Sequence, residues 1–184
     1  MTRRVYFGPS RSTMGVGPLL VTLVLAYIAL VAVVDRAAPG LRIAALHNGA
    51  LRILSIILLV TAALLYVRII TRVREAASAG RLVTDGLFGY LRHPIYAIYI
   101  FLVCPAVAVA LGSWPGLTVP FIAYGLYRLL IPREEARLEA VFGEEYREYR
   151  RCVGGVVPRR RCGGGVPRRR PVPDPVEEHE RLVS

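Results

Sequence analysis

The sequence predicts an all-α integral membrane protein with about four transmembrane helices, a C-terminal cytoplasmic amphipathic helix and a disordered arginine-rich tail. Of its 184 residues, 54% are hydrophobic, and its mean hydropathy of +0.46 is high for a soluble domain. The hydrophobic residues are concentrated in long uncharged runs, and most charged residues lie between or after these runs. This pattern is typical of a chain that crosses a membrane several times.

The predicted spans follow from the lengths of the apolar runs, since about 20 helical residues cross a bilayer core. The uncharged run 94–127 is long enough for two short or tilted spans, because glycine and proline at 112–116 predict a turn between them. Pro105 predicts a kink in the third span, and Pro132 is expected to begin the amphipathic helix. The four spans are, approximately, 16–34, 53–70, 95–111 and 117–131.

The distribution of positive charge predicts the orientation. The chain has no lysine, so all 24 basic residues are arginines. With both termini in the cytoplasm, 21 of these arginines lie on the cytoplasmic side and three lie outside, as the positive-inside rule requires. We therefore expect a multi-pass protein with cytoplasmic termini, in the plasma membrane of a prokaryote.

Four segments differ in composition and predict the domain organisation. Residues 1–15 form a basic lead-in, and residues 16–79 form two scaffold spans. Residues 80–158 contain the polar motifs and form the functional core. Residues 159–184 form a tail of arginine, glycine and proline that cannot bury a core and is expected to be disordered.

The tail predicts contacts with membrane lipids, because arginines near a bilayer attract anionic headgroups. No folded nucleic-acid reader accompanies these arginines, so no specific nucleic-acid partner is expected. Cys152 and Cys162 are ten residues apart and have no further Cys or His at ligand spacing. We therefore expect no metal site.

Two polar blocks flank the predicted hairpin of the third and fourth spans. Arg92-His-Pro-Ile-Tyr96 brings a cation, an imidazole and a phenol to the entry of the third span. Glu134 and Glu135 place two carboxylates at the other end of the hairpin, shortly after Arg128. Because both ends of a hairpin lie at the same membrane surface, the blocks should meet there, which indicates an active site rather than a packing pattern.

At these residues the chain resembles the isoprenylcysteine carboxyl methyltransferase family and its phospholipid N-methyltransferase relatives. The resemblance covers about 80–158 and departs at Ala97 and Ile98, where the family has a glycine. The family's first block corresponds to Leu82 through Tyr96. The matching residues of the second block are Glu134, Glu135, Leu138, Phe142, Gly143, Tyr146, Tyr149 and Pro158.

The resemblance implies an integral-membrane enzyme that uses S-adenosylmethionine without a Rossmann domain. It implies that Arg128 holds an acidic group of a lipophilic or prenylated substrate, which reaches the site from the bilayer between the third and fourth spans. The residues that it implies for the cofactor pocket are Arg81, Leu82, Val83, Phe88, His93, Pro94, Ile95, Tyr96, Glu134 and Glu135.

The nature of the methyl acceptor decides the catalytic roles. A carboxylate is already ionised at neutral pH and needs no base, so Arg128 would only orient it. An amine needs a proton acceptor, for which Glu135 or His93 is the candidate. The catalytic residues are therefore predicted to be Arg128 and Glu135, in a carboxyl O-methyltransferase that acts on an isoprenylcysteine-like group.

Three alternatives remain open from the sequence. The first is a phospholipid or amine N-methyltransferase of the same superfamily. The second is an NADPH-dependent sterol-type reductase, which shares the His-Pro-x-Tyr element, although the acidic pair is unfavourable beside a 2′-phosphate. The third is a transporter or anchor without enzymatic activity, although transporters commonly carry polar residues at mid-span and these spans do not.

Overall fold

A computed structural model describes residues 16–78 and 82–159 of the chain. All regular elements in these two ranges are helices or helical turns, which confirms the all-α prediction. The lead-in 1–15 and residues 160–184 of the tail lie outside the described residues. The helices are α1 (Gly17–Ala37), α2 (Gly49–Ser78), α3 (Pro94–Ile98), α4 (Cys104–Leu111), α5 (Trp114–Leu117), α6 (Val119–Phe142) and α7 (Glu144–Cys152).

Three helical segments in the described ranges are long and apolar enough to cross a membrane. They are Gly17–Ala37, Gly49–Ala76 and Pro94–Leu111, and they correspond to the first three predicted spans. The fourth predicted span, 117–131, begins in α5 and continues as the apolar first half of α6. A total of four crossings stays a prediction.

Two predicted boundaries are wrong. The second predicted span ends at residue 70, whereas α2 continues to Ser78 through a segment rich in arginine and alanine, which have good helix propensity. Pro132 lies inside α6 rather than at the start of a new helix. One missing N–H donor does not end this helix, since Ile131 and Glu135 on either side are buried against neighbouring elements.

The third span contains an irregular turn next to Pro105. The chain is π-helical over Tyr99–Val103 between α3 and α4, and Pro105 follows within the first turn of α4. Because proline offers no N–H to the preceding turn, a regular ladder is interrupted there. The wider π turn accommodates the missing donor.

One apolar core joins α1, the third span and α6. Leu20 and Val24 of α1 pack with Ile100 and Cys104 of the third span and with Val119 of α6. On the other side of the third span, α2 packs through small and branched residues against Ile98. Many large apolar side chains of α1 and α2 point outward, as expected for helices in contact with lipid. This packing fixes the start of α3 beside the second half of α6.

Candidate active site

Residues 153–159, which we call the C-terminal segment, form backbone hydrogen bonds with the residues that precede the third span. The N–H of Arg92 donates to the carbonyl of Gly154 at 2.7 Å, and the N–H of His93 donates to the carbonyl of Gly155 at 3.2 Å. Pro94 then begins α3 with His93 as the N-cap residue. These bonds place the Arg92 and His93 side chains against α6.

Glu134 and Glu135 are neighbours on α6 but have different partners. Glu134 Oε2 accepts the Tyr96 hydroxyl at 2.6 Å and the N–H of Val16 at 3.2 Å. These two donors are uncharged, and Glu134 forms no ion pair with a described residue. Its carboxylate is therefore anchored but keeps its negative charge available.

Glu135 instead is the centre of an ion-pair cluster. Its Oε1 lies 2.7 Å from Arg92 Nη1 and 3.2 Å from His93 Nε2, and its Oε2 lies 3.4 Å from Arg150 Nε. Burial raises the pKa of this carboxyl, but the His93 hydrogen bond and the charges of Arg92 and Arg150 outweigh burial and hold the pKa below 4.5. Glu135 is therefore ionised at neutral pH and is a weak base.

Two tyrosines of α7 complete the packing around this cluster. Tyr149 donates its hydroxyl to the carbonyl of Phe88 at 2.7 Å and so holds the loop before α3. Tyr146 is almost fully buried, and burial together with the nearby Glu135 charge raises its pKa to about 12. Both side chains therefore remain neutral and rigidly placed.

One cavity between the described residues, which we call the inner cavity, has a volume of about 240 Å³ and mostly apolar walls. Eight of the ten residues predicted for the cofactor pocket line it: Leu82, Val83, Phe88, His93, Pro94, Ile95, Tyr96 and Glu134. The first and second polar blocks therefore do meet around one space, between the start of α3 and the second half of α6.

The other two predicted pocket residues are Arg81 and Glu135. Arg81 lies outside the described residues, and Glu135 faces the neighbouring cavity. Residues that line the inner cavity but are missing from the predicted set are Val73, Arg92, Leu138, Phe142, Tyr146 and Tyr149. All of these except Val73 belong to the two sequence blocks, so the motifs contained a signal for them.

The second cavity, which we call the arginine cleft, has a volume of about 580 Å³ and lies between α6, the end of α7 and the segment 153–159. Arg128 lines this cleft rather than the inner cavity, and its Nη1 donates to the Tyr124 hydroxyl at 3.3 Å. Arg92 lines both spaces. Among the described residues, five arginines line the cleft: Arg92, Arg128, Arg150, Arg151 and Arg159.

An apolar groove of about 650 Å³ lies between α1, α2 and the third span. Ile95 and Tyr96 line both this groove and the inner cavity. The groove is on the α1–α2 side of the third span, whereas the sequence predicts substrate entry between the third and fourth spans. The groove thus reaches the wall of the inner cavity.

Comparison with known proteins identifies the relatives of this site. Residues 45–140 match the model of the isoprenylcysteine carboxyl methyltransferase family. The chain belongs to this family. The match includes all of α2, so the similarity extends further towards the N-terminus than the polar blocks do. Family membership and the three apolar helices together identify an integral membrane protein.

A curated relative is the Protein-S-isoprenylcysteine O-methyltransferase of Schizosaccharomyces pombe. It is 33% identical to this chain over 78 residues, which are 42% of this chain and 33% of the relative. The similarity thus spans about a third of the relative's length. It supports the family assignment and leaves most of the relative without a counterpart in the match.

Proposed function

We propose that this protein is an S-adenosylmethionine-dependent membrane methyltransferase that O-methylates the carboxylate of an isoprenylcysteine-like, lipophilic substrate. The observation that supports this proposal most directly is the environment of Glu134. Its carboxylate is held by two uncharged donors at the wall of an otherwise largely apolar cavity. Such a site suits a ligand that combines a positive charge with apolar surface. S-adenosylmethionine meets this description and supplies a methyl group on a sulfonium.

The residues of the inner cavity fit this cofactor. Glu134 would attract its positive charge, and Arg92 and Tyr146 line the same cavity. Phe88, Ile95 and the other apolar side chains would exclude water from the reacting centre, which favours a displacement at a sulfonium. Arg81 is part of the proposal through the family resemblance alone.

The contacts of Glu135 favour a carboxylate as the methyl acceptor. An amine acceptor must give up a proton, yet Glu135 already binds Arg92, His93 and Arg150, and its pKa is lowered. His93 Nε2 also contacts Glu135 rather than open space. A carboxylate needs no base, so the site requires only a cation to orient it. We assign that role to Arg128 and give Glu135 the role of positioning Arg92 and His93.

The apolar groove supports a lipophilic substrate. A prenyl or alkyl chain lying along α1, α2 and the third span would contact Ile95 and Tyr96 directly beside the inner cavity. Its polar end would then lie beside the inner cavity, whose wall includes Arg92, a residue that also lines the arginine cleft of Arg128. In this arrangement the lipid comes from the bilayer and the cofactor comes from the cytoplasm.

Labelled S-adenosylmethionine tests the proposal in membranes that contain the full chain and a prenylated cysteine. Wild-type protein should transfer label to the lipid as a methyl ester, which mild alkali releases as methanol, whereas an N-methyl product is stable to alkali. Arg128→Ala should keep S-adenosylmethionine binding and lose most of the transfer. If NADPH raises the melting temperature and S-adenosylmethionine does not, the reductase alternative is favoured and the methyltransferase proposal fails.

A further inference from the structure

The arginine cleft contains more positive charge than one acceptor carboxylate can balance. Two of its five arginines are paired within the protein: Arg92 with Glu135 at 2.7 Å, and Arg150 with Glu135 at 3.4 Å and Glu139 at 3.6 Å. A third, Arg128, contacts only the neutral Tyr124 among the described residues and is assigned above to the acceptor carboxylate. The cleft therefore contains cations beyond those that the proposed reaction uses.

The remaining two cations are Arg151 and Arg159. Both line the cleft and are exposed to solvent. Neither forms an ion pair with Asp or Glu in the described part of the chain. Like charges around one concave space repel each other and raise the local concentration of anions. The cleft thus favours a ligand with more than one negatively charged oxygen atom.

The backbone of the C-terminal segment holds Arg159 at this cleft. The N–H of Gly154 donates to the carbonyl of Arg159 at 2.9 Å, and a Cβ on Gly154 would overlap the carbonyl oxygen of Val157. A Cβ on Gly155 would lie 2.9 Å from the Tyr127 hydroxyl. The turn therefore requires glycine at position 154, and Gly155 lets the segment approach Tyr127 of α6 closely. In this way the local fold positions the arginine.

We propose that the arginine cleft binds a phosphate group through Arg151 and Arg159, beside the acceptor that Arg128 orients. The guanidinium group presents paired N–H donors that match two phosphate oxygens, and two such groups match a dianion. The cleft lies where α6 leaves its apolar half, so an anionic phospholipid headgroup and a soluble phosphate compound can both reach it. This inference goes beyond methyl transfer and does not require it.

The test uses the full chain in nanodiscs of zwitterionic phosphatidylcholine, with inorganic pyrophosphate titrated at constant ionic strength. Arg151→Gln with Arg159→Gln should weaken pyrophosphate binding about tenfold or more, because charged hydrogen bonds are lost. The matched control is Arg74→Gln with Arg133→Gln, which removes the same charge from exposed positions outside the inner cavity and the arginine cleft. Its affinity should stay within about twofold of wild type, since long-range charge effects are screened.

Equal losses of affinity in the two double variants would overturn the proposal, because they would show a response to net charge alone. Far-UV circular dichroism and the denaturation midpoint are measured for both double variants and should equal those of wild type, which shows without any ligand that they are folded. Since pyrophosphate binding is read without methyl transfer, a protein that binds pyrophosphate in the cleft but transfers no methyl group would contradict the proposed function and leave this inference standing.

A second arm distinguishes the source of the phosphate. Nanodiscs that contain phosphatidic acid should lower the pyrophosphate affinity of wild type if the lipid headgroup occupies the cleft, and the cleft double variant should not show this competition. An unchanged wild-type affinity in these discs would identify a soluble phosphate compound as the ligand. Both results require the cleft, and they differ only in where its ligand comes from.

Discussion

The inner cavity and the arginine cleft lie on two sides of one ion pair and have opposite electrical character. The inner cavity has mostly apolar walls and one carboxylate, Glu134, without a cationic partner among the described residues. In the part of the chain that the structure describes, the arginine cleft has five arginines and one carboxylate, Glu135. Arg92 lines both spaces and pairs with Glu135. A cationic ligand is therefore favoured on one side and an anionic ligand on the other.

The contrast arises from two consecutive residues of one helix. Successive side chains on an α-helix point about 100° apart, so Glu134 and Glu135 reach different spaces from the same turn of α6. Glu135 compensates Arg92, and the charge of Glu134 then remains uncompensated in the inner cavity. The two neighbouring carboxylates thus have different roles. Glu135 positions the Arg92 cation, and Glu134 keeps a negative charge without a cationic partner among the described residues.

The largest effect is expected for Glu135→Gln, which should lower the free energy of unfolding. This change leaves Arg92 and His93 without their carboxylate, and the two side chains are only 14% and 3% exposed. Breaking a buried ion pair in this way costs about 3 kcal/mol of unfolding free energy, measured by denaturant unfolding in micelles. The control Glu139→Gln removes a carboxylate that is 35% exposed and should cost at most about 1 kcal/mol. Equal losses in the two variants would contradict the role of Glu135 as the centre of the cluster.

The next largest effect is expected for Glu134→Gln, which should lower ligand affinity. The amide oxygen can still accept the Tyr96 hydroxyl and the Val16 N–H, so the unfolding free energy should change by less than about 1 kcal/mol. The negative charge is lost, and S-adenosylmethionine affinity, measured by calorimetry, should fall about tenfold or more. Unchanged affinity would remove Glu134 from the cofactor site. Together with Glu135→Gln, this variant tests whether Glu135 mainly supports the stability of the fold and Glu134 mainly supports ligand binding.

Much of the inner cavity could be predicted from the sequence, because its residues come from two compact motifs whose separation matches a membrane hairpin. His93, Tyr96 and Glu134 all lie where this reasoning places them. The three long apolar helices are also predictable from composition alone. These features depend on local sequence and on one simple topological rule.

Features that depend on tertiary packing could not be predicted. Nothing in the Gly154-Gly155 sequence indicates that its carbonyls bind Arg92 and His93, about 60 residues earlier in the chain. The separate roles of Glu134 and Glu135 depend on which partners surround α6. The continuation of α6 through Pro132 likewise reflects burial on both sides of the proline. In each case a long-range contact outweighs the local preference.

A smaller effect on the free energy of unfolding is expected when the pH is lowered. The pKa of Glu135 in the folded protein lies below its ordinary value of 4.5, so the unfolded chain binds its proton at higher pH than the folded protein does. The stabilisation is therefore complete above about pH 4.5 and is lost as the pH falls below this value. Unfolding free energy of wild type should decrease more steeply in this range than that of Glu135→Gln. Parallel pH curves would show that Glu135 gains no stabilisation from its cations.

The smallest effects compare two glycines that face different surroundings. In Gly155→Ala the new Cβ would lie 2.9 Å from the Tyr127 hydroxyl, which should move the C-terminal segment and cost about 1 kcal/mol of unfolding free energy. Gly125→Ala on α6 meets no atom within 4 Å and should stabilise the helix by up to about 1 kcal/mol. Pyrophosphate affinity should fall in Gly155→Ala and stay unchanged in Gly125→Ala, because only the first residue shapes the arginine cleft. If both variants bind pyrophosphate as wild type does, the close approach of the segment to α6 is not needed to hold the arginines in place.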